Sequence, residues 1–202
     1  ILKKVLLLPV LSLIFLVSIR IDVLMIGKIL GVEYSGFYSA ASRLVIIVLL
    51  YSTLFLQFLY PNVSRLSVNS DKFDDLYKNL IAFATFTGFS FFVFSYFIVE
   101  FYLSLFGSNF SIAREALLIL SFNLLFAIIY NVWVHKNFLI NNYSKILFFH
   151  IVIIVLNIVL NFYMIDLYGI KGAAISTMIS GVLSFLIVNI SSPKEIYLIF
   201  SS

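Results

Sequence analysis

Hydrophobic positions along the chain form six long runs separated by short polar stretches. The runs cover residues 4–27, 37–60, 80–105, 113–135, 145–165 and 170–190. Each run is long enough to cross a bilayer as a helix, which takes about 20 residues. The runs are apolar all round, which is typical of helices surrounded by lipid. The pattern predicts an all-α, polytopic membrane protein in which residues 1–202 form one bundle of six transmembrane helices.

The composition supports lipid as the solvent. Hydrophobic residues make up 63% of the chain and charged residues 11%, whereas a soluble domain carries about 25% charged residues. The mean hydropathy is +1.14, and a soluble fold of this length cannot bury that much apolar surface. The chain has no cysteine, which excludes disulfides and thiolate metal sites within it.

The basic residues of the connecting segments divide unequally between the two sides of the predicted bundle. One side holds Lys3, Lys4, Arg65, Lys72, Lys78, Lys136, Lys145 and Lys194. The other side holds Lys28, Arg114 and Lys171. Cytoplasmic loops carry the excess of Lys and Arg in membrane proteins. The bias of eight to three therefore predicts that both ends of the chain lie in the cytoplasm.

Charged residues interrupt the first hairpin, "RIDVLMIGKILGVEYSGFYSAASRL". If residue 32 is the tip, Asp22 lies ten residues before it and Arg43 eleven after it, so the two are level on antiparallel helices. Charges inside a membrane pair with one another or face a cavity, and we expect an Asp22–Arg43 ion pair. Arg20 lies about 200° around the helix from Asp22, which leaves it available for an anionic ligand. The alternative for both arginines is that they snorkel to the outer headgroups.

Polar residues also occur inside the fifth run, "HIVIIVLNIVLNFYMID". His150, Asn157 and Asn161 are spaced by seven and four residues, which places them on one helix face. Intramembrane Asn side chains form hydrogen bonds between helices. Two interpretations remain open: these residues join helices, or they line a polar pathway. The candidate cavity residues are thus Arg20, Asp22, Arg43, Asn157 and Asn161.

Signatures of catalysis are missing from the sequence. There is no Ser-His-Asp spacing, Gly-rich phosphate loop or HExxH motif. The two histidines, His135 and His150, belong to different runs. We therefore predict that the chain is not an enzyme, has no catalytic residue, binds no metal and no cofactor, and has no nucleic-acid partner.

Three separated stretches resemble one family. The hairpin quoted above is similar to the seventh and eighth spans of Wzx-type polysaccharide (O-antigen) flippases. The stretches "LYPNVSRL" and "NIVLNFYMIDLYGIKGAAISTMIS" are similar to later segments of the same family, in the same order. These flippases belong to the multidrug/oligosaccharidyl-lipid/polysaccharide exporter superfamily.

The resemblance implies a twelve-helix exporter whose C-terminal half is this six-helix bundle. Such proteins have a cavity between two bundles and work by alternating access. The implied function is translocation of undecaprenyl-diphosphate-linked oligosaccharide units across the inner (cytoplasmic) membrane for surface polysaccharide or lipopolysaccharide assembly. The implied partners are the lipid-linked oligosaccharide, membrane lipid and polysaccharide-assembly proteins. The resemblance also implies that Arg20 and Arg43 contribute to a cationic lumen.

Two rivals remain. A drug/cation antiporter of the same superfamily is expected to carry acidic residues in its cavity rather than arginines. A polysaccharide polymerase, a membrane enzyme of the same pathway, is expected to carry a large outer loop that this chain lacks.

Overall fold

The computed structural model describes residues 2–63 and 71–191, and this part of the chain is helical throughout. Its long helices are α1 (Leu2–Ile29), α2 (Val32–Val63), α3 (Asp71–Ser104), α4 (Arg114–Leu139) and α5 (Tyr143–Ser191). A short 3-10 helix, Ser108–Ala113, precedes α4. All five long helices contain a segment long and apolar enough to cross a membrane, which fits an all-α membrane protein.

The described chain forms five long helical elements, so the predicted count of six is not matched element for element. The predicted runs 145–165 and 170–190 are joined in the single element α5, which bends at Gly169. Gly169 has φ 60° and ψ −142°, a conformation that is accessible almost only to glycine. A Cβ added to Gly172 would lie 1.8 Å from the carbonyl oxygen of Met164. Residues eight apart in a straight helix are about 12 Å apart, so α5 folds back on itself as two arms, 143–168 and 170–191.

Helix boundaries also differ from the sequence prediction near the turns. α2 begins at Val32, five residues before the predicted run, because Gly31 alone (φ 104°) reverses the chain. α3 begins at Asp71, nine residues before the predicted run. Its first turns are amphipathic, with Phe73 and Tyr77 buried. The tail 192–202 and the segment 64–70, which contains Arg65 of the charge count, lie outside the described residues.

The two ends of the bundle are distinguished by their turns. At one end, here called the glycine end, the turns contain Gly31, Gly107 and Gly169, all with positive φ. At the other end, here called the Asn141 end, α4 and α5 are joined through Asn141, which has φ 56°. Two exposed ion pairs, Arg114–Glu100 and Lys171–Glu115, tie helices together at the glycine end. Exposed pairs contribute little stability, about 0–1 kcal/mol each.

Helix α4 is the centre of the bundle and packs against α2, α3 and α5. Two apolar clusters form the core, one toward each end. The Asn141-end cluster surrounds Trp133 and Ile146, and the glycine-end cluster surrounds Ile26, Leu117 and Ile165. Large apolar side chains such as Phe58, Phe86 and Phe97 are exposed on the outer helices, as expected where lipid is the neighbour. The space within the bundle beside these clusters is the candidate site.

Candidate functional site

A cavity of about 500 Å³ lies within the bundle, between α1, α2, α4 and the two arms of α5. Half of its lining residues carry polar side chains, which is unusual for a membrane interior. These are Ser12, Ser18, Asp22, Tyr38, Ser42, Thr53, Gln57, Asn123, Tyr130, Asn131, His135, His150, Asn157, Thr177, Ser180 and Ser184. Eleven of them fall into three groups, arranged from the glycine end toward the Asn141 end.

The first group surrounds the buried carboxylate of Asp22, which is 8% exposed. Tyr38 donates its hydroxyl hydrogen to Asp22 Oδ2 at 2.9 Å. Thr177 Oγ1 donates to the same oxygen at 2.7 Å, and Asn161 Nδ2 donates to Oδ1 at 2.6 Å. Hydrogen bonds to a charged group contribute about 1.5–3 kcal/mol each. Together they offset much of the cost of burying this carboxylate, which is several kcal/mol.

Two amides complete the Asp22 group. Asn161 Nδ2 also donates to Asn157 Oδ1 at 3.0 Å, and Asn157 Nδ2 donates to Thr177 Oγ1 at 3.4 Å. Asn161 is fully buried, and its Oδ1 atom has no hydrogen-bond partner. A buried amide oxygen without a partner costs about 1–3 kcal/mol, unless a ligand takes its lone pairs.

The Asp22 group is thus rich in oxygen atoms, two of which belong to an ionisable carboxyl group. Among the described residues, the side chains that contact the Asp22 carboxyl are Tyr38, Asn161 and Thr177, and none of these is basic. Carboxylate, amide and hydroxyl oxygens are hard ligands that suit small hard cations. The arrangement is therefore able to hold one monovalent cation, either a proton or an alkali ion.

The second group is centred on the buried imidazole of His150. Ser18 Oγ donates to Ile14 O at 2.8 Å and lies 2.9 Å from His150 Nε2. Tyr130 Oη lies 3.4 Å from Nδ1 of the same ring. The ring centroid of Phe15 lies 4.0 Å from the imidazole centroid. His150 therefore connects α5 to both α1 and α4 across the cavity.

The third group lies nearest the Asn141 end. Asn131 Nδ2 donates to Thr53 Oγ1 at 2.8 Å and connects α4 to α2. Nδ1 of His135 lies 2.9 Å from the carbonyl oxygen of Asn131, so it carries a hydrogen. Gln57 lines the same part of the cavity. The polar lining therefore continues from Asp22 to the last turns of α2 and α4.

The predicted Asp22–Arg43 ion pair is wrong. Counting residues from the hairpin tip matched the depth of the two residues but not their direction around the helix. Arg43 lies five residues after Tyr38, about 140° around α2, and Tyr38 is the α2 residue that contacts Asp22. Arg43 is exposed and does not line the cavity.

Of the other candidate residues, some lie at the cavity and some lie away from it. Asp22 and Asn157 line the cavity, and Asn161 lies behind them and holds Asp22. Arg20 is exposed on the opposite side of α1, in agreement with its predicted separation from Asp22. His150 and the two asparagines are all buried on one face of the first arm, as their spacing predicted. Their hydrogen bonds join helices, as the first interpretation predicted. His150 and Asn157 also line the cavity, and a role in a polar pathway stays a prediction.

Sequence reasoning missed Tyr38 and Thr177. Tyr38 fits the aromatic belt at a membrane surface, yet it is 2% exposed. Thr177 lies within "GIKGAAISTMISG", which reads as a stretch of small packing residues. One signal was available: Asn161 and Thr177 lie eight residues before and after Gly169. A hairpin at that glycine therefore brings them level.

Comparison with protein families gives one match. A family described as polysaccharide biosynthesis protein matches residues 5–114, which are 110 of the 202 residues. The matched region covers α1, α2, α3 and the start of α4, including Asp22 and Tyr38. Comparison with curated proteins and with solved structures finds no match.

Proposed function

The chain belongs to the polysaccharide biosynthesis protein family, and from this premise we propose that it is part of a Wzx-type flippase. It moves undecaprenyl-diphosphate-linked oligosaccharide units across the cytoplasmic membrane for surface polysaccharide assembly. The family match is the observation that carries this proposal. The five apolar helices support it because a lipid-linked sugar has to be moved within a membrane. No covalent bond changes in this process, so the protein is a transporter and not an enzyme.

The proposed energy source is a cation that binds to the Asp22 group. A buried carboxylate, an amide oxygen without a partner and a threonine hydroxyl lie together inside a membrane bundle. Intramembrane ionisable residues of this kind mark ion pathways in transporters. Binding of a proton or sodium ion removes the net charge of the group, and its release restores the charge. The lysine-rich Asn141 end is the cytoplasmic end in this proposal, since Lys72, Lys78, Lys136 and Lys145 lie there.

The arginines are proposed to act outside the cavity. Arg20 and Arg43 are exposed on α1 and α2, about 14 and 16 Å from the glycine end by residue count. A guanidinium group facing lipid is costly. A cleft between this bundle and a second one would instead give both groups water and an anionic diphosphate to bind. If so, Arg20→Ala and Arg43→Ala reduce transport, while the control Lys28→Ala, at the end of α1, does not. Full transport by Arg20→Ala would exclude the ligand role for Arg20.

A drug/cation antiporter is the second candidate, and one observation favours it. The cavity within the bundle contains an acidic residue, Asp22, whereas both arginines lie outside it. This is the charge pattern expected of the antiporter. The family match favours the flippase, because its description is polysaccharide biosynthesis.

Deletion of the gene separates the two candidates. The flippase proposal predicts loss of surface polysaccharide and accumulation of lipid-linked units in the inner leaflet of the cytoplasmic membrane, both restored by the wild-type gene. Normal surface polysaccharide together with increased sensitivity to cationic drugs would reject the flippase and support the antiporter.

A further inference from the structure

The cavity is long compared with the membrane. Its lining on α2 runs from Tyr38 to Gln57, which is about 28 Å of helix. The hydrocarbon core of a bilayer is about 30 Å thick. The cavity therefore extends from the Asp22 group across most of the membrane toward the Asn141 end.

At the glycine end, apolar packing separates Asp22 from the surface. Ile26 lies one turn beyond Asp22 on α1 and is fully buried. It belongs to the same cluster as Phe37, Ile165 and Ala173, all buried between Asp22 and the turns. Such a cluster leaves no room for water or a hydrated ion. The Asp22 group is closed on this side.

The cavity has its mouth between α1 and α2. Four of its lining residues are exposed to the outside, namely Ser12, Ile19, Leu50 and Gln57. Two belong to α1 and two to α2, and all lie farther from the glycine end than Asp22 and Tyr38. The lining residues contributed by α4 and α5 are buried or half-buried. The gap between α1 and α2 is therefore where the cavity opens.

Charge and polarity along the cavity favour a cation. Among the described residues of the lining, Asp22 is the only carboxylate, and none is Lys or Arg. The remaining polar groups are hydroxyls, amides and the imidazoles of His135 and His150. A negative charge at the closed end of a path with neutral polar walls attracts cations and repels anions. Substrate diphosphate is thus excluded from this path.

We propose that the cation of the Asp22 group exchanges with the cytoplasmic side through the gap between α1 and α2, along the polar wall formed by Ser18, His150, Asn131 and Thr53. This inference rests on the proposed cation site and cytoplasmic orientation. It adds the route, the side of access and the two helices that form the mouth. Because α1 and α2 also carry Arg20 and Arg43, the same two helices serve the ion path and the proposed substrate cleft.

Cysteine accessibility in the full-length protein tests this route, since the 202-residue chain contains no cysteine of its own. Three variants place a thiol along the path: Thr53→Cys, Ser18→Cys and Ser180→Cys. Ser95→Cys is the matched control, because Ser95 is fully buried on α3 and outside the cavity. Ser111→Cys reports the glycine end, where Ser111 is exposed. Each variant is treated with a membrane-impermeant, cationic methanethiosulfonate reagent in inside-out and right-side-out vesicles.

The proposal predicts that the path thiols react from the cytoplasmic side about tenfold faster than Ser95→Cys, which reacts only when its helix locally opens. Ser111→Cys should react from the opposite side. Lower pH slows modification of every thiol, because the thiolate is the reacting form. Sodium ions or lower pH should therefore slow modification of Ser180→Cys, one turn from Thr177, by a larger factor than modification of Ser111→Cys, and Asp22→Asn should remove this additional protection. Because three path positions are used, the route is still tested if any one variant misfolds.

Several results would overturn the proposal. The first is that the path thiols react no faster than Ser95→Cys, and the second is that they react faster from the outer side. The third is that neither cation slows modification of Ser180→Cys more than that of Ser111→Cys. None of these rates depends on the transported substrate. If the flippase proposal is wrong, these rates still test the ion route. If the ion route is wrong, the deletion phenotype still tests the flippase proposal.

Discussion

Asp22 is the residue whose environment explains most about this bundle. A carboxylate inside a membrane requires donors or a cation, and Tyr38, Thr177 and Asn161 supply three donors from three segments of the chain. The unpartnered Oδ1 of Asn161 shows that the group holds more acceptors than its donors satisfy. This imbalance is what a bound cation would correct.

Replacing Asp22 with Asn tests the cation at the residue scale. The side chains have nearly the same shape, so the bundle should fold. The purified wild-type protein should melt at a higher temperature in a sodium salt than in the salt of a large organic cation. Its melting temperature should also rise when the pH is lowered. A ligand at 100 times its Kd stabilises the folded state by about 2.7 kcal/mol. Asp22→Asn should lose this response, and the exposed control Asp166→Asn should keep it. Retention of the full response by Asp22→Asn would remove Asp22 from the cation site.

Removing one donor measures how the carboxylate is held. Tyr38→Phe deletes the hydroxyl that donates to Asp22 Oδ2 at 2.9 Å. We expect the free energy of unfolding to fall by about 1.5–3 kcal/mol, the contribution of a hydrogen bond to a charged group. In the Asp22→Asn background the same change should cost less, since the acceptor is then neutral. Equal costs in both backgrounds, measured by unfolding in mixed micelles, would show that Tyr38 acts only through packing.

The sequence located Asp22 but not its partners. Depth along a helix follows from counting residues, and this counting placed Asp22 and Arg43 level. Direction around α2 depends on how the helix rotates against its neighbours, which residue counting does not give. Tyr38 was recognisable as a tyrosine near a helix end, a position that fits a membrane surface equally well.

The hairpin within α5 is the element that assembles the site. Its arms bring Asn157 and Thr177 within 3.4 Å, although they are 20 residues apart. The sequence predicted both arms as separate spans, because each is an apolar run of sufficient length. It did not predict that helix continues on both sides of Gly169 without a loop, since polar residues such as Asp166 and Lys171 suggested one.

The bend at Gly169 should tolerate no side chain. Gly169→Ala places a Cβ on a residue with φ 60° and ψ −142°, and should destabilise the protein by about 1–3 kcal/mol. Gly36→Ala is the matched control: Gly36 is helical, and an added Cβ meets nothing within 4 Å. That variant should be stabilised by about 0.5–1 kcal/mol. Equal stability of the two variants, measured by unfolding in micelles, would show that residue 169 does not have this backbone conformation.

Close contact between α4 and the second arm gives another element-scale prediction. A Cβ added to Gly181 would lie 1.8 Å from Asn123 Oδ1. Gly181→Ala should therefore cost about 1–3 kcal/mol through overpacking. Asn123→Ala removes the clashing amide, so the double variant should recover most of the loss of the Gly181→Ala single variant. Additive losses in the double-mutant cycle would contradict this contact.

At the scale of the whole molecule, the bundle is asymmetric between its two ends. Apolar packing closes the glycine end, while the cavity opens between α1 and α2 in the half toward Asn141. In the proposed transporter, this asymmetry would expose the Asp22 group to one side of the membrane at a time, as alternating access requires. The sequence predicted the apolar spans and their bias of basic residues. It did not predict the cavity, because a cavity depends on the packing of four segments that are distant in the chain.

The central claim is that a cation at Asp22 drives translocation of a lipid-linked oligosaccharide. Its most direct test uses the full-length protein reconstituted in vesicles with a fluorescent, short-chain prenyl-diphosphate oligosaccharide and an imposed sodium or proton gradient. We predict that the wild-type protein moves the probe across the bilayer in response to one of the two gradients, and that Asp22→Asn does not respond to either. Gradient-driven movement at the wild-type rate by Asp22→Asn, or no movement of the probe by the wild-type protein under either gradient, would contradict the account.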